Sequence, residues 1–153
     1  MSKTIVRRLM PIECSRLQGY PDGWVDLTIK EDMDDEELAF WNKVRADKAL
    51  IDGKKYKPVG KDQMIRWYNS MISADGNKYK ALGNSIALPQ WWWLAQKMRD
   101  YLPQKATLGS LFDGIGGFPC VWEETYGAGT ARWASEIEPF PIAVTKERFK
   151  DGT

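Results

Sequence analysis

Apolar and polar positions change rhythm near residue 104. Before it, hydrophobic residues recur at spacings of three and four, the signature of helices with one buried face. After it, short apolar runs alternate with helical stretches. In the first part, Lys3–Leu9 is compatible with a short strand, and Pro11 suits the first position of a helix reaching Gln18, with Ile12 and Leu17 facing the core. Gly19-Tyr20-Pro21-Asp22-Gly23 turns the chain. The acidic run Glu31–Glu37, interrupted by Met33, fits the start of a helix from Asp34 to Leu50, where negative charge suits the helix dipole. A polar loop follows from Asp52 to Gly60, then an amphipathic helix from Lys61 to Ile72. Asp75-Gly76 and Gly83-Asn84 read as loops. Leu88, Trp91, Ala95, Met98 and Leu102 then form one face of a long helix from Ser85 to Leu102, with Pro89 in its first turn. Trp92 and Trp93 flank that face, predicting a wide apolar surface against a sheet.

In the second part, Thr107–Phe112 is a short apolar strand and Asp113-Gly114-Ile115-Gly116-Gly117 a glycine-rich turn. A helix from Phe118 to Tyr126 is stopped by Gly127 and Gly129. A second strand runs from Thr130 to Ser135, and Pro139 and Pro141 open a last helix through Phe149. Strand, helix and strand in this order make a βαβ unit. The expected organisation is a helical region over 1–104 and a βαβα unit over 105–153, packed as one compact α/β domain.

Composition narrows the chemistry. With 22 basic and 21 acidic residues, the formal charge is +1, so no overall basic excess argues for nucleic acid. No apolar run approaches the roughly 18 residues of a membrane span, and Met1–Met10 lacks a signal-peptide core; the expected location is the cytoplasm. There is no histidine, which removes the commonest general base and most zinc sites, so no metal is expected. The two cysteines, Cys14 and Cys120, read as small buried apolar residues.

The glycine turn sits where a strand feeds a helix, where backbone can approach a ligand closely. Glu136 follows Gly114 by 22 residues, at the tip of the next strand. An acid at that distance can accept hydrogen bonds from the ribose hydroxyls of an adenosine-containing cofactor. Pro119 stands where a dinucleotide fingerprint needs its third glycine, which weakens a nicotinamide reading. The alternative is a packing turn with a surface glutamate.

The segment Phe112-Asp113-Gly114-Ile115-Gly116-Gly117-Phe118 resembles motif I of the DNA cytosine-5 methyltransferases. Arg8–Asp22 resembles their motif IX and Tyr79–Pro89 their motif X. The resemblance implies a partial Rossmann-like methyltransferase fold that binds S-adenosylmethionine through Phe112, Asp113, Gly114, Gly116 and Gly117. It implies that Glu136, which matches the acidic residue of motif II, holds the ribose, that Ile137 packs on adenine, and that Asn84 and Ser85 close the pocket. The order is permuted, since motifs IX and X precede I and II; motif X packing against motif I would let a linker over Leu102–Leu108 join them. The family's Pro-Cys-Gln, Glu-Asn-Val and Arg-x-Arg motifs are not found. Cys120 follows a proline but precedes Val121 and lies beside motif I, so it is not expected to be the nucleophile, and no catalytic residue is assigned.

The resemblance implies the cofactor-binding portion of a DNA cytosine-5 methyltransferase of restriction-modification type, inactive alone, with DNA as partner of the complete enzyme. A complementary methyltransferase chain would supply the cysteine, and the chain is expected to be incomplete or to need a partner. A non-catalytic remnant that binds the cofactor, DNA or a methyltransferase is the alternative; a ligand-free fragment is the third. The clusters Lys3, Arg7, Arg8, Arg16 and Lys54, Lys55, Lys57, Lys61 read as solvated surface; contact with phosphates is the alternative, and it requires the acidic run Glu31–Glu37 to face away.

Overall fold

A computed structural model describes residues 6–149. The elements are α1 (Pro11–Leu17), α2 (Asp35–Ile51), α3 (Lys61–Ser73), α4 (Asp75–Gly83), α5 (Leu88–Met98), β1 (Leu108–Leu111), α6 (Gly117–Tyr126), β2 (Ala131–Ser135) and α7 (Pro139–Arg148). Local chemistry sets several starts. Pro11 opens α1 while the Glu13 carboxylate accepts the Met10 N–H at 2.8 Å. Asp34 caps α2 by accepting the Glu37 N–H at 2.7 Å, and Asp35, Glu36 and Glu37 fill the first turn. The acidic run is therefore the cap and first turn of a helix.

Several expectations need correction. Residues 6–10 form no strand, and the remainder of the expected Lys3–Leu9 strand lies outside the described residues. Leu17 is 73% exposed; Ser15 and Tyr20 turn inward instead. Asp75 and Gly76 are not loop but the first turn of α4, a position where neither disrupts a helical hydrogen bond. The helix expected from Ser85 begins only at Leu88, because Ser85–Ala87 stay outside it and the Leu88 N–H donates to the Gln18 carbonyl at 2.8 Å. It ends at Met98, short of Leu102. Trp92 and Trp93 are exposed rather than buried. Trp91 packs on a helix and not on the sheet: its ring centroid is 5.1 Å from Phe118 and 6.4 Å from Trp122, both on α6.

The described sheet has two strands, β1 and β2, which run parallel with α6 connecting them. Gly109 faces Trp133, Ser110 faces Ala134 and Leu111 faces Ser135. A Cβ on Gly109 would lie 2.4 Å from the Trp133 indole, so that ring lies over the glycine. One apolar cluster joins both parts of the chain: Trp41, Met64, Tyr68, Met71 and Leu82 from the helices before β1, with Ile115 from the glycine turn and Val121, Phe140 and Val144 from the helices after it. Arg148, at the end of α7, reaches back to the turn after α1. Its guanidinium donates to the Trp24 carbonyl at 2.9 Å, to Asp26 at 2.8 Å and to Gly23, and lies over the Trp24 ring.

Candidate functional site

The glycine turn lies between β1 and α6. Gly114 and Gly116 have φ of 60° and 79°, a left-handed backbone that glycine adopts at no steric cost. Phe112 shares that region at φ 53° although it carries a side chain, and it is 87% exposed. Such a backbone costs of order 1–3 kcal/mol and collects at ligand sites. The turn is tied to β2 by the Asp113 N–H, which donates to the Ser135 carbonyl at 3.0 Å.

Glu136 is the organising side chain. One carboxylate oxygen accepts the Gly114 N–H at 2.7 Å; the other accepts the N–H groups of Ile137 at 2.6 Å and Glu138 at 2.9 Å. It thereby joins the turn after β1 to the entry of α7. A carboxylate offers about four lone-pair positions. Three are taken, two on one oxygen and one on the other, so a single hydroxyl can join the oxygen that holds the Gly114 N–H, and a diol that used both oxygens would have to displace the Ile137 or Glu138 N–H.

Asp113 is buried. The Ser110 hydroxyl donates to its Oδ1 at 2.5 Å, while its Oδ2 has no hydrogen-bond partner. Burial, with a smaller push from Glu136, raises its carboxyl to about 6 from the ordinary 3.8; the Ser110 hydrogen bond opposes the shift. A carboxyl with a raised folded-state value stabilises the fold fully below its unfolded value, and loses that contribution as pH rises through about 6. We expect wild type to gain stability relative to Asp113→Asn as pH falls from 7 to 4. Parallel urea titrations across this range check it; a pH-independent difference would show that Asp113 does not titrate there.

The three segments singled out in the sequence meet at this turn. The Tyr20 and Ser85 hydroxyls are hydrogen-bonded at 2.5 Å, and the Gln18 amide donates to the Leu82 carbonyl at 2.7 Å. The Trp24 indole donates to the Ile115 carbonyl at 2.8 Å. Gly117 faces Tyr20, Ile86 and Leu88; a Cβ there would stand 2.4 Å from the Tyr20 hydroxyl.

A cleft of about 580 Å³ opens beside the turn, lined by Phe112, Gly114 and Glu136 on one side and by Asn84, Lys80, Trp67 and Phe140 on others. Of the nine candidate residues, Phe112, Gly114, Glu136 and Asn84 line this cleft. Asp113 and Glu136 border a second cleft of about 730 Å³ between α2 and α7, where Phe40, Trp41 and Phe149 also stand. Gly116, Gly117, Ser85 and Ile137 line neither cleft. Gly116 packs against Thr145 and Phe149, and Ser85 acts through Tyr20. Trp67, Met71, Asn77 and Phe140 belong to the first cleft and were not singled out in the sequence; no local motif marks them, since they come from α3, α4 and α7.

Cys120 is half-buried, and burial pushes its thiol up to about 11, with Glu124 and Glu123 adding to the shift. It is held protonated, the opposite of what a nucleophile needs. Four residues of the basic clusters are engaged by acids: Arg7 with Glu13, Arg16 with Asp22, Lys54 with Asp52 and Lys61 with Asp32; Lys3 lies outside the described residues. Among the described residues, no group of three or more His, Cys, Asp or Glu is gathered for a metal ion, and no helix is long and apolar enough to cross a membrane.

The chain is similar to a curated protein of Escherichia phage P1. That protein is named DNA N-6-adenine-methyltransferase, and the two are 32% identical over 97 residues. The match takes in 63% of this chain but 11% of the phage protein, so the chain spans a small part of its relative's length. No protein-family model matches the chain, and no solved structure does. The relative's name is that of a methyltransferase. Its name places the methyl group on adenine N6, whereas the motif resemblance implied cytosine C5; the cytosine-5 assignment therefore has no support from this relative.

Proposed function

We propose that the chain is the S-adenosylmethionine-binding portion of a DNA methyltransferase, a partial Rossmann-like unit in which 105–153 carries the cofactor contacts and 1–104 supports them. The observation that carries this reading is Glu136, which stands in a cleft with Phe112, Gly114 and Asn84 while its carboxylate spans the glycine turn. The phage relative supports it independently. When bound, the cofactor supplies an electrophilic methyl group on its sulfonium. The Glu136 carboxylate accepts a ribose hydroxyl; Ile137, which the motif resemblance set beside the adenine, lines neither cleft and is given no such contact. The exposed ring of Phe112 offers an apolar wall, and Gly114 and Gly116 keep the turn free of side chains. Asn84, held by the Ser85–Tyr20 hydrogen bond next to it, borders the other side of the cleft.

The residues fit such a ligand: an acceptor carboxylate with a position still open, a turn at Gly114 without a side chain and aromatic walls in one cleft. Calorimetric titration with S-adenosylhomocysteine tests this. We expect micromolar affinity that Glu136→Ala weakens at least tenfold, about 1.4 kcal/mol. A folded chain that does not bind, or an alanine variant that binds equally well, would sink the reading.

For the base modified, the resemblances of Arg8–Asp22 and Tyr79–Pro89 favour cytosine C5, and the name of the phage protein favours adenine N6. Cytosine is the reading we adopt, because these two segments pack together against the glycine turn, where Tyr20, Ile86 and Leu88 surround Gly117 and Tyr20 bonds Ser85. No residue of this chain is assigned the nucleophile, so methyl transfer to DNA requires polypeptide beyond it.

A further inference from the structure

We propose that Trp24 is a positioning residue for the glycine turn: its indole N–H donates to the Ile115 carbonyl and holds Gly114 and Gly116 in the left-handed form that meets Glu136. This rests on the cofactor reading above only for what the turn binds. Trp24 lies outside the three segments that carry the family resemblance. It lines neither cleft, so it acts through the turn and not by touching a ligand.

The Ile115 carbonyl finds no donor in its own stretch of chain. Gly116 is the N-cap of α6, and its carbonyl is the first to enter the helical series, accepting the Cys120 N–H at 3.0 Å. The carbonyl before it falls outside that series, and the residue four positions on, Pro119, has no N–H to offer. Ile115 is fully buried, so water does not serve either. The Trp24 indole, from 91 positions earlier, fills the place at 2.8 Å.

Trp24 is itself held from several sides. Its ring centroid is 5.6 Å from that of Tyr20 and 6.1 Å from that of Phe149, the latter edge-on. The Arg148 guanidinium lies 5.7 Å from its centroid and donates to its carbonyl at 2.9 Å. Phe149 reaches the same turn, since a Cβ on Gly116 would lie 2.6 Å from its ring. Three consecutive residues are thus gripped: Gly114 by the Glu136 carboxylate, Ile115 by the indole and Gly116 by the Phe149 ring. The indole is the grip that comes from the region before β1. A left-handed backbone such as that of Phe112, just before the turn, persists only where its surroundings over-determine it. Loss of the indole donor therefore loosens the segment whose Gly114 N–H shares the Glu136 carboxylate with the ligand.

The test replaces Trp24 in the full chain with benzothienylalanine, which keeps the fused rings but has sulfur in place of N–H, and with 7-azatryptophan, which keeps the N–H. The benzothienyl chain should unfold in urea as cooperatively as wild type. Its Gly114 amide, read by NMR, should exchange roughly three- to tenfold faster, and S-adenosylhomocysteine should bind more weakly by the same factor, the scale of one neutral hydrogen bond. The azatryptophan chain should match wild type in both. Combined with Glu136→Ala, the benzothienyl change should weaken binding by less than the product of the two separate factors, because both act on one turn. Unchanged exchange at Gly114 overturns the proposal. So does the full product of the two factors, or faster exchange spread evenly over α2 and α3, since the indole would then only pack. A wild-type chain that does not bind S-adenosylhomocysteine, while the benzothienyl change still speeds Gly114 exchange, sinks the cofactor reading and leaves the anchor of the turn standing. Binding that Glu136→Ala weakens and the benzothienyl change leaves alone refutes the positioning role only.

Discussion

Trp41→Ala should lower the unfolding free energy by about 3–5 kcal/mol, the range for a buried tryptophan cut to alanine. Trp41 is 1% exposed in the middle of α2, and its ring is the hub of an aromatic cluster. Phe40 and Tyr68 stand 5.1 Å away between ring centroids, and Trp67 stands at 6.0 Å. Its indole N–H is directed at a Glu37 oxygen 3.3 Å away. Removing the ring forfeits its burial and its edge-to-face contacts, and leaves a cavity that α2 and α3 can close only partly. Urea denaturation monitored by circular dichroism measures the loss. Trp41→Phe should recover much of it, because a smaller ring still fills part of the space. A loss below about 1 kcal/mol would mean that α2 and α3 do not share the core described for them.

Gly117→Ala should cost about 2–3 kcal/mol, toward the upper part of the range for overpacking. The new methyl would stand 2.4 Å from the Tyr20 hydroxyl, 3.2 Å from a Leu88 methyl and 3.3 Å from Ile86. Tyr20 has little room to retreat: it is 3% exposed, its hydroxyl is bonded to Ser85, and its ring lies 5.6 Å from that of Trp24. The clash therefore falls on a hydroxyl that links the segment after α1 to the loop before α5. Tyr20→Phe removes the obstructing oxygen. Combined with Gly117→Ala, it should lose less stability than the two single changes added together, a coupling expected of residues in contact. Thermal or urea unfolding of the four proteins gives the coupling directly. Strict additivity would mean that the methyl is accommodated elsewhere.

The βαβα unit is the part most legible in the sequence, and the reason is local. Its turns need glycine, as the positive φ of Gly114, Gly116, Gly127 and Gly129 shows, and each such residue punctuates an element. The end of α5 and the fate of its tryptophans were not legible. Whether Trp92 and Trp93 are covered depends on how far α6 extends beneath α5, which no local pattern records. The loop over Ser85–Ala87 is held outside the helix by Gln18, 70 residues from Leu88. At the candidate site, the turn and its acid were visible as spacing. The aromatic wall from Trp67 and Phe140 was not, because it assembles from α3 and α7. Nor was the engagement of Glu136 by three backbone N–H groups, two of them from the residues that follow it.

The Arg148 anchor has a consequence for the way the chain is made. The carbonyls of Gly23, Trp24 and Asp26 receive their partner from a residue 122 to 125 positions later. Synthesis proceeds at about 5–20 residues per second, so the turn after α1 waits roughly 6–25 seconds on the ribosome before its guanidinium exists. Throughout that interval Trp24 lacks the cation over its face, and until Ile115 is made, 91 residues after Trp24, it also lacks the carbonyl that its indole N–H meets in the finished fold. The nascent amino-terminal half is thus exposed to chaperones and proteases until α7 emerges.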